Sequence, residues 1–213
     1  FDNVTATYKK NVGIFNISFK VKTGDMVFIM GPTGSGKSTI LKTIYKDMFV
    51  ESGKIIIDKE DITAINSSMH TSNVRKNIGM VFQDFKLLED RTVFENIALP
   101  LRIEGYPKSQ IIEFVKEALN KVSLSGSEIF YPLQLSGGEQ QRVCIARALV
   151  KKPKIILADE PTGNLDPNIS DDILDLLELC TKDGSTVLMS THNFPLIKPR
   201  KRKFIELSKG RMI

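Results

Sequence analysis

The apolar positions of this 213-residue chain follow two periods. Short unbroken runs at Val27-Phe28-Ile29-Met30, Ile78 to Val81, Ile155 to Ala158 and Thr186 to Met189 read as strands buried on both faces, and Lys54 to Ile57 reads as another. Phe204-Ile205-Glu206-Leu207 predicts a final strand. Elsewhere the spacing is helical. Ser38 to Lys46 predicts a helix, and Thr92 to Leu101 a second, opened by Thr92 and Glu95 at capping-box spacing. Lys108 to Val122 puts Ile111, Val115, Ala118, Leu119 and Val122 on one face, and Ile169, Ile173, Leu176, Leu177 and Cys180 mark a further amphipathic helix. Alternation of strand and helix over residues 1–82 and 153–213 predicts an α/β core lobe, and the mostly helical residues 84–151 an inserted lobe of the same domain.

Composition agrees with one compact domain: 41% of residues are hydrophobic, enough for a large core. No run of eighteen apolar residues and no basic-plus-apolar leader is present, so the expectation is a cytoplasmic protein. Cys144 and Cys180 lack C-x-x-C spacing and fall in helices, which predicts buried free thiols. The net charge of +5 is local, since Lys198, Arg200, Lys201, Arg202 and Lys203 supply five cations in six residues and leave 25 basic against 25 acidic residues without them. That segment reads either as a solvated turn before the last strand or as a contact for anionic inner-leaflet lipid. Nucleic acid is disfavoured, because no second basic stripe or aromatic platform accompanies the segment.

Three motifs carry chemistry. Gly31-Pro32-Thr33-Gly34-Ser35-Gly36-Lys37-Ser38-Thr39 fits G-x-x-x-x-G-K-[ST] between a strand and a helix. Its backbone N–H groups suit a β-phosphate, Lys37 the β/γ oxygens and Ser38 a Mg²⁺ ion. Asp159-Glu160 closes an apolar strand; such a pair is common surface punctuation, but beside a phosphate loop Asp159 suits Mg²⁺ and Glu160 the attacking water. In Leu135-Ser136-Gly137-Gly138-Glu139-Gln140-Gln141-Arg142, Ser136 and Glu139 have capping-box spacing. Gly137 and Gly138 add that something approaches the backbone closely, and a helix N-terminus suits a phosphate.

With these motifs in this order, the chain resembles the ATP-binding subunits of the ABC superfamily over nearly its whole length. The resemblance extends to Gln83 in Val81-Phe82-Gln83-Asp84, to Asn164-Leu165-Asp166 and to His192 in Ser190-Thr191-His192. It implies an ABC-type P-loop ATPase core with an N-terminal antiparallel β portion and an inserted helical subdomain. Glu160, His192, Gln83 and Lys37 are implied in catalysis, and Ser38, Gln83 and Asp159 at Mg²⁺. Tyr8 matches the aromatic position that stacks on adenine, while the phosphate loop, Gln83, Ser136 to Glu139 and Asp166 are implied at ATP. Further implied are an ATP-dependent homodimer, an integral membrane subunit docking beside Gln83 near Phe85, Leu87 and Leu88, and a peripheral place on the inner face of the bacterial plasma membrane.

Within the superfamily, Phe82 to Val93, Leu99-Pro100-Leu101, Pro132 to Val143, Thr162 to Asp166 and Val187 to His192 resemble the cell-division ATPases, whose partner is the FtsX type of membrane protein. Lipoprotein-releasing and macrolide-export ATPases share the Asn-Leu-Asp loop and much of the signature. Asn193 departs from the Asp that usually follows the switch His, and Pro32-Thr33 departs within the phosphate loop. DNA-repair and translation members of the superfamily do not fit, since the chain has neither a long coiled-coil insertion nor a second cassette.

Overall fold

A computed structural model describes residues 1–9, 12–63 and 67–213. Two antiparallel strands come first, β1 (Asp2–Lys9) and β2 (Val12–Ile17), with Val4, Ala6, Ile14 and Ile17 turned inward and buried. β3 (Met26–Met30) is buried at all five positions, as a strand covered on both faces must be. The phosphate loop and α1 (Lys37–Ile44) follow. β4 (Ser52–Lys54) then returns to β1 and completes a three-stranded antiparallel sheet, while β5 (Ile56–Ile57) and β6 (Glu60–Asp61) make a separate hairpin. The strand expected over Lys54 to Ile57 is therefore two strands in different sheets. Ile55 between them is buried, and its carbonyl accepts a hydrogen bond from Ile62 N.

Helix α2 (Ser68–Lys76) carries no apolar periodicity because it buries only Val74; the Ser67 hydroxyl caps it by accepting from His70 N at 3.2 Å. After β7 (Ile78–Val81) come three helices, α3 (Val93–Ile103), α4 (Lys108–Lys121) and α5 (Gly137–Leu149). The Thr92 hydroxyl accepts from Glu95 N at 3.2 Å and the Glu95 carboxylate accepts from Thr92 N at 3.0 Å, so the expected capping box forms. β8 (Ile155–Asp159), α6 (Pro167–Lys182), β9 (Thr186–Thr191), α7 (Phe194–Ile197), β10 (Lys203–Ser208) and β11 (Arg211–Met212) complete the chain.

The main sheet runs β11-β10-β3-β9-β8-β7, parallel except for β11. Side chains alternate across β3: Met26 and Phe28 join an apolar cluster that continues into α3 through α6, whereas Val27 and Ile29 join one beneath α1 and the antiparallel sheet. The carboxyl ends of β3, β8 and β9 meet at one edge, where ligands of parallel sheets lie. In the β8–β9 register, Asp159 stands opposite Ser190.

The basic segment is largely neutralised from within. Arg200 pairs with Asp171, at 2.7 Å, and with Asp175, Arg202 with Glu178 at 3.1 Å, and Lys203 with Asp25 at 2.8 Å. Asp171, Asp175 and Glu178 share one face of α6, where unpaired like charges four apart would repel. Of the five cations, Lys198 and Lys201 alone have no ion pair among the described residues. Among the described residues, no helix is long and apolar enough to cross a membrane.

Candidate nucleotide site

The phosphate loop leaves β3 and feeds α1 through Gly36, whose φ of 105° sits at the helix N-cap. A Cβ there would stand 2.7 Å from Ile14 Cγ2, so both the backbone angle and the packing demand glycine. Lys37 is buried and folds back over the loop, donating to the carbonyls of Gly31 at 2.9 Å and Pro32 at 3.1 Å. Its ammonium also lies 3.2 Å from Glu160 Oε1. Ser35 Oγ is buried without a hydrogen-bond partner, an expensive arrangement for a hydroxyl unless a ligand completes it.

The carboxylate pair at the end of β8 meets these groups. Asp159 Oδ1 accepts from Ser38 Oγ at 2.9 Å and from Ser190 Oγ at 2.6 Å. Ser190 Oγ accepts in turn from Glu160 N at 2.9 Å, which steadies Glu160 in a left-handed backbone with φ 44°. Glu160 is gripped from two sides, since His192 Nδ1 lies 2.8 Å from Oε2 while Lys37 holds Oε1. Gln83 is exposed and lines a cavity of about 380 Å³ with Asp159, Lys42 and Asn164. Lys37, Ser38, Gln83, Asp159, Glu160 and His192, distant in sequence, therefore surround one edge of the sheet.

Among the described residues, Tyr8 and the signature make no hydrogen bond or ion pair with that cluster. Tyr8 is exposed at the end of β1, its ring 5.6 Å from Lys42 Nζ, so it is not a core residue. Ser136 caps α5: its hydroxyl donates to Glu139 Oε2 at 2.7 Å, and the same carboxylate accepts from Ser136 N at 2.8 Å. Those two bonds, the hydroxyl's first, hold the Glu139 carboxyl below the usual range. What approaches Gly138 closely is Ile169 of α6, 2.9 Å from where a Cβ would stand, so this glycine is required by helix packing; Gly137 makes only ordinary contact with Leu165. Asp166 is exposed at the N-cap position of α6 with no side-chain cap bond.

Three supporting residues gave no signal in the sequence. Ser190 acts through strand register. Buried Asn96 pins the loop before α3, donating to the carbonyls of Leu88, Arg91 and Thr92 and accepting from Leu88 N. Arg147, at the far end of α5, donates to the carbonyls of Phe85 at 2.7 Å and Lys86 at 2.6 Å, two residues held at φ 57° and 50° directly after the Gln83 turn. Phe85 and Leu87 pack against the core, and only Leu88 of the three apolar residues after Gln83 is exposed.

The donor set suits a nucleotide with a hard divalent cation. Ser38 Oγ and Asp159 Oδ1 converge at 2.9 Å, both hard oxygens of the kind such a cation prefers.

Comparison with known proteins agrees. A family model described as ABC transporter matches residues 14–163. The cell division ATP-binding protein FtsE of Mycobacterium tuberculosis (strain ATCC 25618 / H37Rv) is 43% identical over 214 residues, covering 100% of this chain and 93% of that protein. FtsE of Escherichia coli (strain K12) is 44% identical over 213 residues, covering 100% and 96%. The dimeric structure of MJ0796, a bacterial ABC transporter cassette, superposes with a TM-score of 0.87 at 38% identity, covering 99% of this chain and 94% of that one. A post-hydrolysis MJ0796 structure, bound to ADP and Pi, also gives 0.87. With its phosphate loop, carboxylate pair and signature in place, the chain belongs to the ABC transporter family as an ATP-binding, ATP-hydrolysing cassette of FtsE-like sequence.

Proposed function

We propose that two copies of this chain close on ATP and drive an FtsX-type integral membrane subunit in bacterial cell division, the output being activation of cell-wall hydrolases across the membrane. One observation carries the dimer: among the described residues, Ser136 to Glu139 make no hydrogen bond or ion pair with Gly31 to Thr39. The signature is capped by its own Glu139 and packed on α6, so a γ-phosphate on the phosphate loop meets a signature only from a second copy. The dimeric assembly of MJ0796 supports this reading. Closure then depends on the γ-phosphate, and hydrolysis removes the contact that held the copies together.

In this reading Tyr8 stacks on adenine and Gly31, Pro32, Thr33, Gly34, Ser35 and Gly36 shape the cradle, with Lys37 and Thr39 on the phosphates. Pro32 has no N–H to give, so the donors come from the residues after it. Ser38, Asp159 and Gln83 hold Mg²⁺, which when bound withdraws charge from the phosphates. Glu160 polarises the attacking water and His192 orients Glu160 and faces the γ-phosphate. Asp166 and Ser136 to Glu139 face the other copy's nucleotide. The membrane subunit docks in the groove between the lobes beside Gln83, which holds the chain peripherally at the inner face of the membrane. A second reading is the ATPase of a lipoprotein-releasing or macrolide-export transporter, since those ATPases share the Asn-Leu-Asp loop. The likeness to MJ0796, a transporter cassette, supports transport in general, and co-purification and identification of the membrane subunit separate the two readings.

Mixing Lys37→Ala protein with Ser136→Arg protein tests the shared site in the presence of the membrane subunit. Each heterodimer keeps one site built from the unspoiled halves, so an equimolar mixture should recover about a quarter of wild-type activity. Absence of recovery, with heterodimers demonstrated, would place both halves of the site on one chain.

A further inference from the structure

Among the described residues, Gln141 is the one side chain buried with both of its polar ends unpaired. Neither Nε2 nor Oε1 has a hydrogen-bond partner, and the residue is 0% exposed. The other side chains that α5 buries are Val143, Cys144, Ile145, Ala146, Ala148 and Leu149, so the amide stands on an otherwise apolar face, where its desolvation is uncompensated.

Helical spacing fixes where that amide lies. Gln141 follows Gly137 by four residues and Gly138 by three, and a helical side chain leans back over the turn before its own. This turn meets the chain that follows the carboxylate pair, since a Cβ on Gly137 would stand 3.7 Å from Leu165 and one on Gly138 2.9 Å from Ile169. One turn in the other direction, Cys144 Sγ donates to the Phe85 carbonyl at 3.1 Å. Gln141 therefore occupies the seam between two loops, the one after Gln83 and the one after Glu160.

The two loops are held unequally. Arg147 and Cys144 fasten the carbonyls of Phe85 and Lys86 to α5. The loop after Glu160 has two turn bonds of its own, Gly163 N to the Glu160 carbonyl at 3.0 Å and Leu165 N to the Thr162 carbonyl at 3.3 Å. Beyond these it has one long bond, from Ser170 Oγ to the Leu165 carbonyl at 3.4 Å. Gly163 also lies against Gln83, whose Nε2 is 3.5 Å from where a Cβ would stand, so a shift of this loop is felt by Gln83 and Glu160 together.

We propose that Gln141 is a positioning residue for hydrolysis: as two copies close on ATP, backbone groups of residues 162–166 move onto its amide, which then holds that loop beside Gln83 and Glu160. In the conformation where Lys37 grips Glu160 the amide is unpaired, so closure is favoured by ending an uncompensated burial. This role rests on the reading that two copies close on ATP, and adds the residue through which closure reaches the hydrolytic carboxylate.

Gln141→Leu keeps the bulk and removes the amide. It should raise Tm by about 3 °C or more while lowering kcat about tenfold, with KM for ATP unchanged. Scanning fluorimetry and steady-state hydrolysis on the full chain read these, and light scattering reads the ATP-dependent dimer. Hydrogen exchange over residues 160–168, with and without ATP, reads the loop: ATP should slow exchange in the wild type and not in the variant. A higher Tm with wild-type turnover, dimer and exchange would make the amide a cost without a role. A lower Tm would mean that the amide is already satisfied before closure, and would overturn the role as well. If the wild type itself neither dimerises nor slows exchange with ATP, the two-copy reading falls and this role with it; wild-type closure that the variant reproduces refutes Gln141 alone.

Discussion

Replacing Glu160 with Gln should separate ATP binding from hydrolysis, in a direction set by the two grips on that carboxylate. Lys37 lies 3.2 Å from Oε1 and His192 2.8 Å from Oε2, with Lys37 almost fully buried. At an effective dielectric constant of about 20, the attraction between Lys37 and Glu160 is about 5 kcal/mol. Desolvation offsets most of it, leaving about 1.5–3 kcal/mol for a charged hydrogen bond. In the proposed function Lys37 serves the phosphates of ATP, which then have to draw it off this carboxylate, so part of the binding energy goes into breaking the pair. Gln keeps the size and the acceptor for His192 while removing the charge. We expect ATP to bind as tightly or up to about tenfold more tightly, and kcat to fall about 10²–10⁴-fold with loss of the base. A titration with a fluorescent ATP analogue in Mg²⁺, single-turnover hydrolysis, and light scattering for the accumulating dimer measure the three quantities. A variant that hydrolyses ATP like the unsubstituted chain removes Glu160 as base; markedly weaker ATP binding removes the competing pair.

Further outcomes rest on buried groups outside the nucleotide cluster. Burial, countered in small part by Arg147, pushes the Cys144 thiol up to about 12, and burial likewise pushes Cys180 up to about 11. Neither should react with iodoacetamide at pH 8 until the chain unfolds, and rapid alkylation of native protein would contradict their burial. Since an unfolded thiol ionises near its model value of 9.0 while these keep their protons, the stability they confer is intact below about pH 9 and lost as pH rises through 11 and 12. Urea melts across that range measure the slope, and a flat profile would refute it. Asn96→Ala takes the side-chain partner from Leu88 N and from the Arg91 carbonyl, while Leu88 O keeps Arg91 N and Thr92 O keeps the backbone N–H of residue 96, a loss of about 3 kcal/mol or roughly 6–12 °C in Tm. Differential scanning fluorimetry reads it, and a shift below about 2 °C would mean that water replaces the amide.

Helices α3, α4 and α6 were legible because each has a strong local signature: a capping box at Thr92, a one-sided apolar face from Ile111 to Leu119, and another from Ile173 to Cys180. The buried strands were legible for the same reason, each built around a short apolar run such as Met26 to Met30 or Val187 to Met189. α2 escaped because a helix that buries one residue has no period to read, and the run Lys54 to Ile57 misled because apolar residues continue across a change of sheet. At the site, the phosphate loop, Gln83, the carboxylate pair and His192 are motif residues whose chemistry depends on their type and local spacing. Ser190 and Asn96 are ordinary polar residues in sequence, and only a partner brought from elsewhere gives them a role.

The sequence by itself determined the elements and the chemistry each could perform, because strand burial, helix caps and a glycine-lined phosphate loop follow from short-range sterics and hydrogen bonding. The tertiary structure decided which charges remain free. Five clustered cations look like a surface patch until α6 places Asp171, Asp175 and Glu178 beneath Arg200 and Arg202. The tertiary structure also decided that Gly138 answers to Ile169 and that Glu160 lies between Lys37 and His192. Electrostatics and packing act through space over a few ångströms, and that distance is set by sheet order and helix docking, which no local pattern in the chain records.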